Sequence, residues 1–175
     1  ASKNDIGEKK TEVLKSSLLS FDPELRVSSV ADFLVDTSVL PGGTDFIISA
    51  VDNVLSRLEL NLIAAKNKVP LLDTGSGVFI DKKSNTIMEM GSNIRFYIPG
   101  QACLLCMGLD TSQIRSHELI ENRKMAGYID GTEESPGSVV TINTTIAAIA
   151  AAVLRHYILG RENAMIPKYL IYRSE

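Results

Sequence analysis

The feature of this sequence best suited to chemistry is an aspartate at the end of an apolar run. The run is Phe46 to Val51, FIISAV; Asp52 and Asn53 follow it, and Arg57 stands one helical turn further on. In open α/β sheets, ligands bind outside the carboxyl ends of the strands. A carboxylate placed there can hold Mg²⁺, which in turn bridges nucleotide phosphates. The same residues have a plainer use. Asp and Asn are both favoured helix N-caps, worth about 1 kcal/mol each, and Arg57 is either a solvated helix charge or a tie from the helix to a neighbouring carboxylate. A second candidate is the C-x-x-C formed by Cys103 and Cys106. It offers two thiolates, whereas a structural zinc takes four ligands. His117 could add a third, although a lone histidine is more often a surface or hydrogen-bonding residue. Taken alone, the cysteine pair reads as a tight turn with small, half-buried side chains. His156 reads as a packing or hydrogen-bonding residue.

The elements that must position these groups follow from periodicity. Glu8 to Ser20 reads as a helix with Val13, Leu14 and Leu18 on its apolar face. Asp22-Pro23 stops it, because the residue before proline avoids the α region. Leu25 to Val30 reads as a short strand. FIISAV suits a strand buried on both faces of a parallel sheet. A helix after Asp52-Asn53 presents Leu55, Leu58 and Leu62 to the sheet, and Val69 to Leu72 is the next buried strand, ended by Gly75-Ser76-Gly77. From Val78 to Ile98 the period falls to two, which predicts antiparallel strands. One helix is expected around Thr111 to Lys124. An alanine-rich helix spans about Ser138 to Leu159, with Gly160 as its C′ residue, and Lys168 to Tyr172 is a last strand. The expected fold class is therefore α/β: a Rossmann-like parallel sheet flanked by helices, with an antiparallel extension.

Composition narrows the function. The chain has 175 residues, the size of one ordinary domain, and its hydrophobic and charged fractions of 45% and 22% are those of a globular protein. A formal net charge of −3 offers no clustered basic surface for phosphate neutralisation, so nucleic acid is not an expected partner. Two cysteines make no disulfide framework, which favours the reducing cytoplasm. The run Ile146 to Leu154 falls short of the roughly 20 apolar residues that a membrane span needs. The opening ASKNDIGEKK carries no secretory pattern.

Four strings occur in an order that resembles the ThiF/MoeB/HesA family of ubiquitin-activating-enzyme-like adenylating domains. They are DIGEKKTE with the later turn Phe21-Asp22-Pro23-Glu24-Leu25; SAVDNVLSRLELN; PGQACLLC; and the alanine-rich helix closed by Gly160. They span most of residues 5 to 160, and the ordered set is more specific than any member. The resemblance implies roles. Lys10 would contact ATP phosphates, with Lys9 beside it as a competing choice. Asp52 would position Mg²⁺ and the reacting phosphate, and Asn53 and Arg57 would fix the turn that carries it. The implied reaction is ATP-dependent adenylation of a carboxylate, such as the C-terminal glycine of a ubiquitin-like or sulfur-carrier protein, by a homodimer. The alternative is a catalytically inactive relative that serves as a scaffold or dimer partner.

The sequence departs from the family at three places. The Gly-rich nucleotide loop and the first strand have no counterpart, so the chain reads as the carboxy-terminal portion of a single adenylating domain, with residues expected upstream. Gly42-Gly43 and Gly75-x-Gly77 do not substitute, since neither follows a first strand and opens a helix. The family's second cysteine pair would stand where Ser135-Pro136-Gly137-Ser138 is found. Finally, no cysteine beyond positions 103 and 106 is available to accept a thioester, so adenylation without thiol transfer is the better reading. Zinc is accordingly not expected. Elemental analysis of protein purified without chelators should find no stoichiometric zinc; one zinc per chain, lost on changing Cys103 and Cys106 to Ser, would overturn this.

Overall fold

A computed structural model describes residues 5–31, 40–81, 84, 86–111, 139–160 and 168–174. Two compact units divide the chain, residues 1–34 and 35–175.

The first unit contains α1, Lys10–Phe21. The helix ends one residue before Asp22, whose N–H donates to Leu18 O at 2.9 Å, and Asp22 Oδ1 then accepts from the Glu24 N–H at 3.0 Å. The aspartate before the proline thus terminates the helix and turns the chain. None of the residues of α1 is buried, and Leu14 and Leu18 of the anticipated apolar face are exposed. Spacing identifies which face is apolar but not what covers it. Residues 25–30 are irregular rather than a strand. They are anchored by the Leu25 N–H, which donates to Asp22 O at 3.3 Å, and by Ser29 Oγ, which donates to Glu12 Oε1 of α1.

The second unit is a four-stranded sheet with helices. Its elements are β1, Ile47–Ser49; α2, Val54–Asn67; β2, Leu71–Asp81; β3, Thr86–Tyr97; α3, Val140–Ile158; and β4, Tyr169–Ser174. The strand order is β1-β2-β3-β4. β1 and β2 run parallel, joined through α2, while β2–β3 and β3–β4 are antiparallel. The sheet is therefore mixed and flanked by helices, an α/β architecture with the anticipated antiparallel extension.

Gly75-Ser76-Gly77 does not end β2. The strand continues to Asp81, with Gly75 opposite Asn93 and Gly77 opposite Gly91. Ladder hydrogen bonds use backbone groups that glycine retains, so pairing along the whole of β3 outweighs the low strand propensity of the two glycines. At Gly91 the missing side chain is needed, since a Cβ would stand 3.1 Å from Tyr172 O of β4.

An apolar core lies between one sheet face and α3, while Ile47, Leu71 and Tyr97 are buried on the opposite face. Leu72, Ile94 and Phe96 point to Ile146, Ala150 and Val153 of α3. These helical positions recur at i, i+4 and i+7, and alanine at 150 keeps the contact surface of the helix small. Phe46, Phe96 and Tyr157 form an aromatic cluster, the Phe96–Tyr157 pair edge-on at 5.2 Å between centroids. Gly160 closes the helix at φ +63°.

Two burial expectations need correction. β1 is not covered on both faces, because Ile48, in register with Leu72, remains 58% exposed. The helix α3 lies over β2 and β3. In α2 the inward residues are Glu59, Asn61, Ile63 and Ala64, while Leu62 is 55% exposed. Polar residues face inward there because they have polar partners; Asn61 Oδ1 accepts the Leu104 N–H at 3.0 Å. The helix anticipated around Thr111 to Lys124 falls beyond the described residues from position 112 onward.

Phe96 is 1% exposed between the sheet and α3. Its replacement by Ala should cost about 3–5 kcal/mol of unfolding free energy, the range for truncating a buried aromatic. Denaturant titration of wild type and Phe96→Ala measures this, and a loss under 1 kcal/mol would show that the core repacks around the gap.

Candidate functional site

The chain leaves β1 at Ser49 and reaches α2 at Val54, so Asp52 and Asn53 lie on the turn outside the strand's carboxyl end. The two residues divide the available roles. Asn53 is the N-cap of α2, and its Oδ1 accepts the Ser56 N–H at 2.8 Å. Its Nδ2 also donates to Asp52 Oδ1 at 3.2 Å. Asp52 itself is exposed. The cap is supplied by its neighbour, which leaves the Asp52 carboxylate presented to solvent and steadied from one side.

Arg57 is not a solvated charge. Its side chain is 12% exposed and ends in a cluster beneath the turn. Nη2 donates to Val51 O, the carbonyl just before Asp52, while Nη1 donates to Thr74 O at 2.8 Å and to Asp73 Oδ1 at 2.5 Å. Asp73 is the carboxylate to which the helix is tied. It is wholly buried and also accepts Ser49 Oγ–H at 2.7 Å across the parallel β1–β2 pair. Thr74 Oγ1 donates back to Ser49 O at 3.0 Å.

A second guanidinium approaches from β3. Arg95 Nη1 lies 3.7 Å from Asp73 Oδ2 and donates to Asn93 Oδ1 at 2.7 Å, and the Arg95 guanidinium stacks 5.3 Å over the Tyr169 ring. Gly75 makes room for this assembly: a Cβ there would meet Asn93 Oδ1 at 3.2 Å and Arg57 Nη1 at 3.4 Å. Breaking such a buried pair by removing one partner typically costs about 3–5 kcal/mol, because the remaining charge is left uncompensated.

Sequence reasoning singled out Arg57 but missed Asp73 and Arg95. A signal for Asp73 exists in VPLLD, where a charged residue follows directly on a buried strand. Lys10 opens α1 in the first unit, so the turn of the second unit brings together Asp52, Asn53 and Arg57. His156 Nδ1 lies 2.8 Å from Ala152 O of its own helix. His117 and the Ser135–Ser138 segment lie outside the described residues.

The C-x-x-C segment is a tight turn. Met107 and Gly108 donate N–H bonds to Cys103 O and Leu105 O, each at 3.0 Å, and Leu109 donates to Leu104 O at 2.9 Å. Between the cysteines, Leu104 is buried and its N–H is the donor to Asn61. The two sulfurs stand 3.8 Å apart. The Cys103 thiol is held below its ordinary pKa chiefly by the Cys106 N–H directed at its sulfur. The Leu105 N–H, the Cys106 thiol and the Asn61 amide act in the same direction, and partial burial opposes them.

The donor sets can be matched to the metals that the resemblance implies. Asp52 offers exposed hard oxygen, which fits Mg²⁺, an ion that keeps several waters and takes one or two carboxylates beside substrate phosphates. For zinc, the described residues contain the two thiols at 3.8 Å and no group of three or more His, Cys, Asp or Glu. Among the described residues no helix is long and apolar enough to cross a membrane.

The model of the ThiF family matches residues 1–175. The tRNA threonylcarbamoyladenosine dehydratase of Escherichia coli (strain K12) is 29% identical over 99 residues, 54% of this chain and 37% of that protein. Its counterpart in Haemophilus influenzae is 31% identical over 94 residues, 51% of this chain and 36% of that protein. Among solved structures, E. coli MccB with AMPCPP and MccA superposes with a TM-score of 0.65 at 20% identity, covering 100% of this chain and 50% of MccB. The chain thus spans half or less of the length of these relatives.

The depressed thiol pKa gives a direct test. Alkylation of Cys103 by iodoacetamide, followed by peptide mass spectrometry across pH 6 to 10, should reach half its plateau rate at a lower pH in the folded protein than in the urea-unfolded chain. A folded-state midpoint equal to or above the unfolded one would contradict the hydrogen bonding at the sulfur.

Proposed function

The chain belongs to the ThiF family, and from that premise we propose that the intact protein adenylates a carboxylate with ATP. Asp52 carries the reading: an exposed carboxylate at the carboxyl end of β1, released from capping by Asn53 and braced through Arg57. The carboxylate partner is a polypeptide terminus, with the C-terminal glycine of a ubiquitin-like or sulfur-carrier protein as the preferred case. Support for a polypeptide comes from MccB, whose structures contain the peptide MccA. ATP is supported in the same way, since MccB was solved with AMPCPP and with ATP.

In the proposed reaction, an oxygen of the substrate carboxylate attacks the α-phosphorus of ATP. The new bond is an acyl–phosphate bond, the bond from Pα to the bridging oxygen breaks, and pyrophosphate leaves. Catalysis of such a step is mostly positioning and neutralisation of charge. Bound Mg²⁺ would supply the charge that offsets the phosphate oxygens. Asp52 would hold it, Asn53 would orient the Asp52 carboxylate through Nδ2, and Arg57 would fix the backbone immediately before it. Lys10 is assigned to the ATP phosphates on the family resemblance. Neither Cys103 nor Cys106 has a part in this step, so the product is the acyl-adenylate.

ATP–pyrophosphate exchange by the full-length protein, with the cognate carboxylate present, is the test. Asp52→Asn keeps the size and the turn hydrogen bond but removes the charge. It should lower the exchange rate by about 10²–10³-fold, the scale for losing one electrostatic stabiliser. Exchange near the wild-type rate, with unchanged Mg²⁺ dependence, would reduce Asp52 to a turn residue.

A further inference from the structure

We propose that Asp73, a buried residue remote from solvent, is a positioning residue for the Asp52 turn, acting through Arg57. The proposal rests on the adenylation reading for its catalytic consequence, while its structural content stands separately. Three observations carry it. First, Asp73 is 0% exposed, so no substrate or metal reaches it directly. Second, the guanidinium that Asp73 holds is the one that reaches the turn: Arg57 Nη1 is on Asp73 Oδ1 and Nη2 is on Val51 O, one residue before Asp52. Third, the surroundings are shaped around this contact. Ser49 Oγ donates to the same carboxylate oxygen, Arg95 stands beside the other, and Gly75 leaves space that a Cβ would take from Arg57 and Asn93.

The three Arg57 bonds work as a set. Guanidinium is planar, and its donors are fixed in direction, so fixing Nη1 on Asp73 and on Thr74 O also fixes where Nη2 points. The Val51 carbonyl is then held at one position, and with it the backbone on which Asp52 begins. Without Asp73, Arg57 keeps its charge but loses the anchor that sets its plane. The Asp52 carboxylate would then sample more orientations, and each productive orientation would be rarer. A partner one step behind a metal-holding carboxylate, when removed, typically costs about 10–100-fold in metal affinity or activity.

The experiment uses the full-length protein and Asp73→Asn. Half-saturating Mg²⁺ in pyrophosphate exchange should rise about 10-fold, and kcat should fall by a comparable factor, as expected for losing such a partner. Hydrogen exchange of the Ser56 and Arg57 amides, which donate to Asn53 Oδ1 and O in the turn, should quicken, while that of Ile146 to Val153 in α3 stays at the wild-type rate. A purely structural Asp73 would behave otherwise: amides of α3 would quicken with those of the turn, and the folded fraction would keep the wild-type Mg²⁺ dependence. That result overturns the proposal. Should Asp73→Asn fail to fold, Arg57→Lys serves instead, because an ammonium cannot serve the Val51, Asp73 and Thr74 oxygens in the same fixed geometry. Wild-type turn exchange and Mg²⁺ dependence in Arg57→Lys would likewise refute the mechanism. If the wild-type protein shows no carboxylate-dependent exchange, the adenylation reading fails, and the amide exchange by itself decides whether Asp73 holds the turn.

Discussion

The described site depends on one buried carboxylate. Asp73 joins β1 through Ser49, α2 through Arg57 and β3 through Arg95, so three elements distant in sequence converge on its two oxygens. Placing charges in an interior is costly unless they are paired and hydrogen-bonded. Oδ1 receives both a hydroxyl and a guanidinium, whereas among the described residues Oδ2 has no hydrogen-bond partner and only the Arg95 charge at 3.7 Å. An apolar residue of similar volume could match the stability of such a cluster, but it could not direct a guanidinium at the Val51 carbonyl. Geometry, more than energy, is what this arrangement supplies.

The same sheet supports two unlike faces. Side chains alternate along a strand, so Leu72, Ile94 and Phe96 meet α3 while Asp73, Asn93 and Arg95 lie on the opposite side. Packing on α3 fixes β2 and β3 from one side, and Ile47, Leu71 and Tyr97 are buried on the other beside the charged groups. That second face can then hold charged groups in place at their low exposure, because the backbone beneath them is already fixed from behind. Gly75 belongs to this second face, where its missing side chain is filled by the Arg57 and Asn93 termini.

What the sequence revealed and what it hid follow from the range of each interaction. The Asp52-Asn53 turn was legible because a strand, its exit and the helix cap lie within a dozen residues. The antiparallel pair was legible from period two, and α3 from its apolar content and closing Gly160. Asp73 was hidden because it reads locally as the end of VPLL; its partners stand 16 and 24 positions earlier in the chain. Arg95 alternates with Ile94 and Phe96 and so reads as the solvent side of a strand. It is 8% exposed because that side is covered too, with the Met107 and Gly108 carbonyls within 3.5 Å. The leucines of α2 misled for a related reason, since Asn61 takes an inward position by satisfying a backbone donor of the cysteine turn.

That turn and the Asp52 turn share a support. Asn53, Arg57 and Asn61 recur every four residues along α2, a polar stripe whose first member caps the helix, whose second fixes the backbone before Asp52, and whose third holds the Leu104 N–H between the two cysteines. At 1.5 Å per residue, the stripe spans about 12 Å. The helix therefore works as a ruler between two loops that never need to touch. Inserting or deleting a single residue between Arg57 and Asn61 would rotate one end against the other by about 100°, detaching one loop while the helix itself stayed intact. Length in this segment is thus under tighter constraint than composition, and substitutions along its outer face are far easier to accommodate than any change in its residue count.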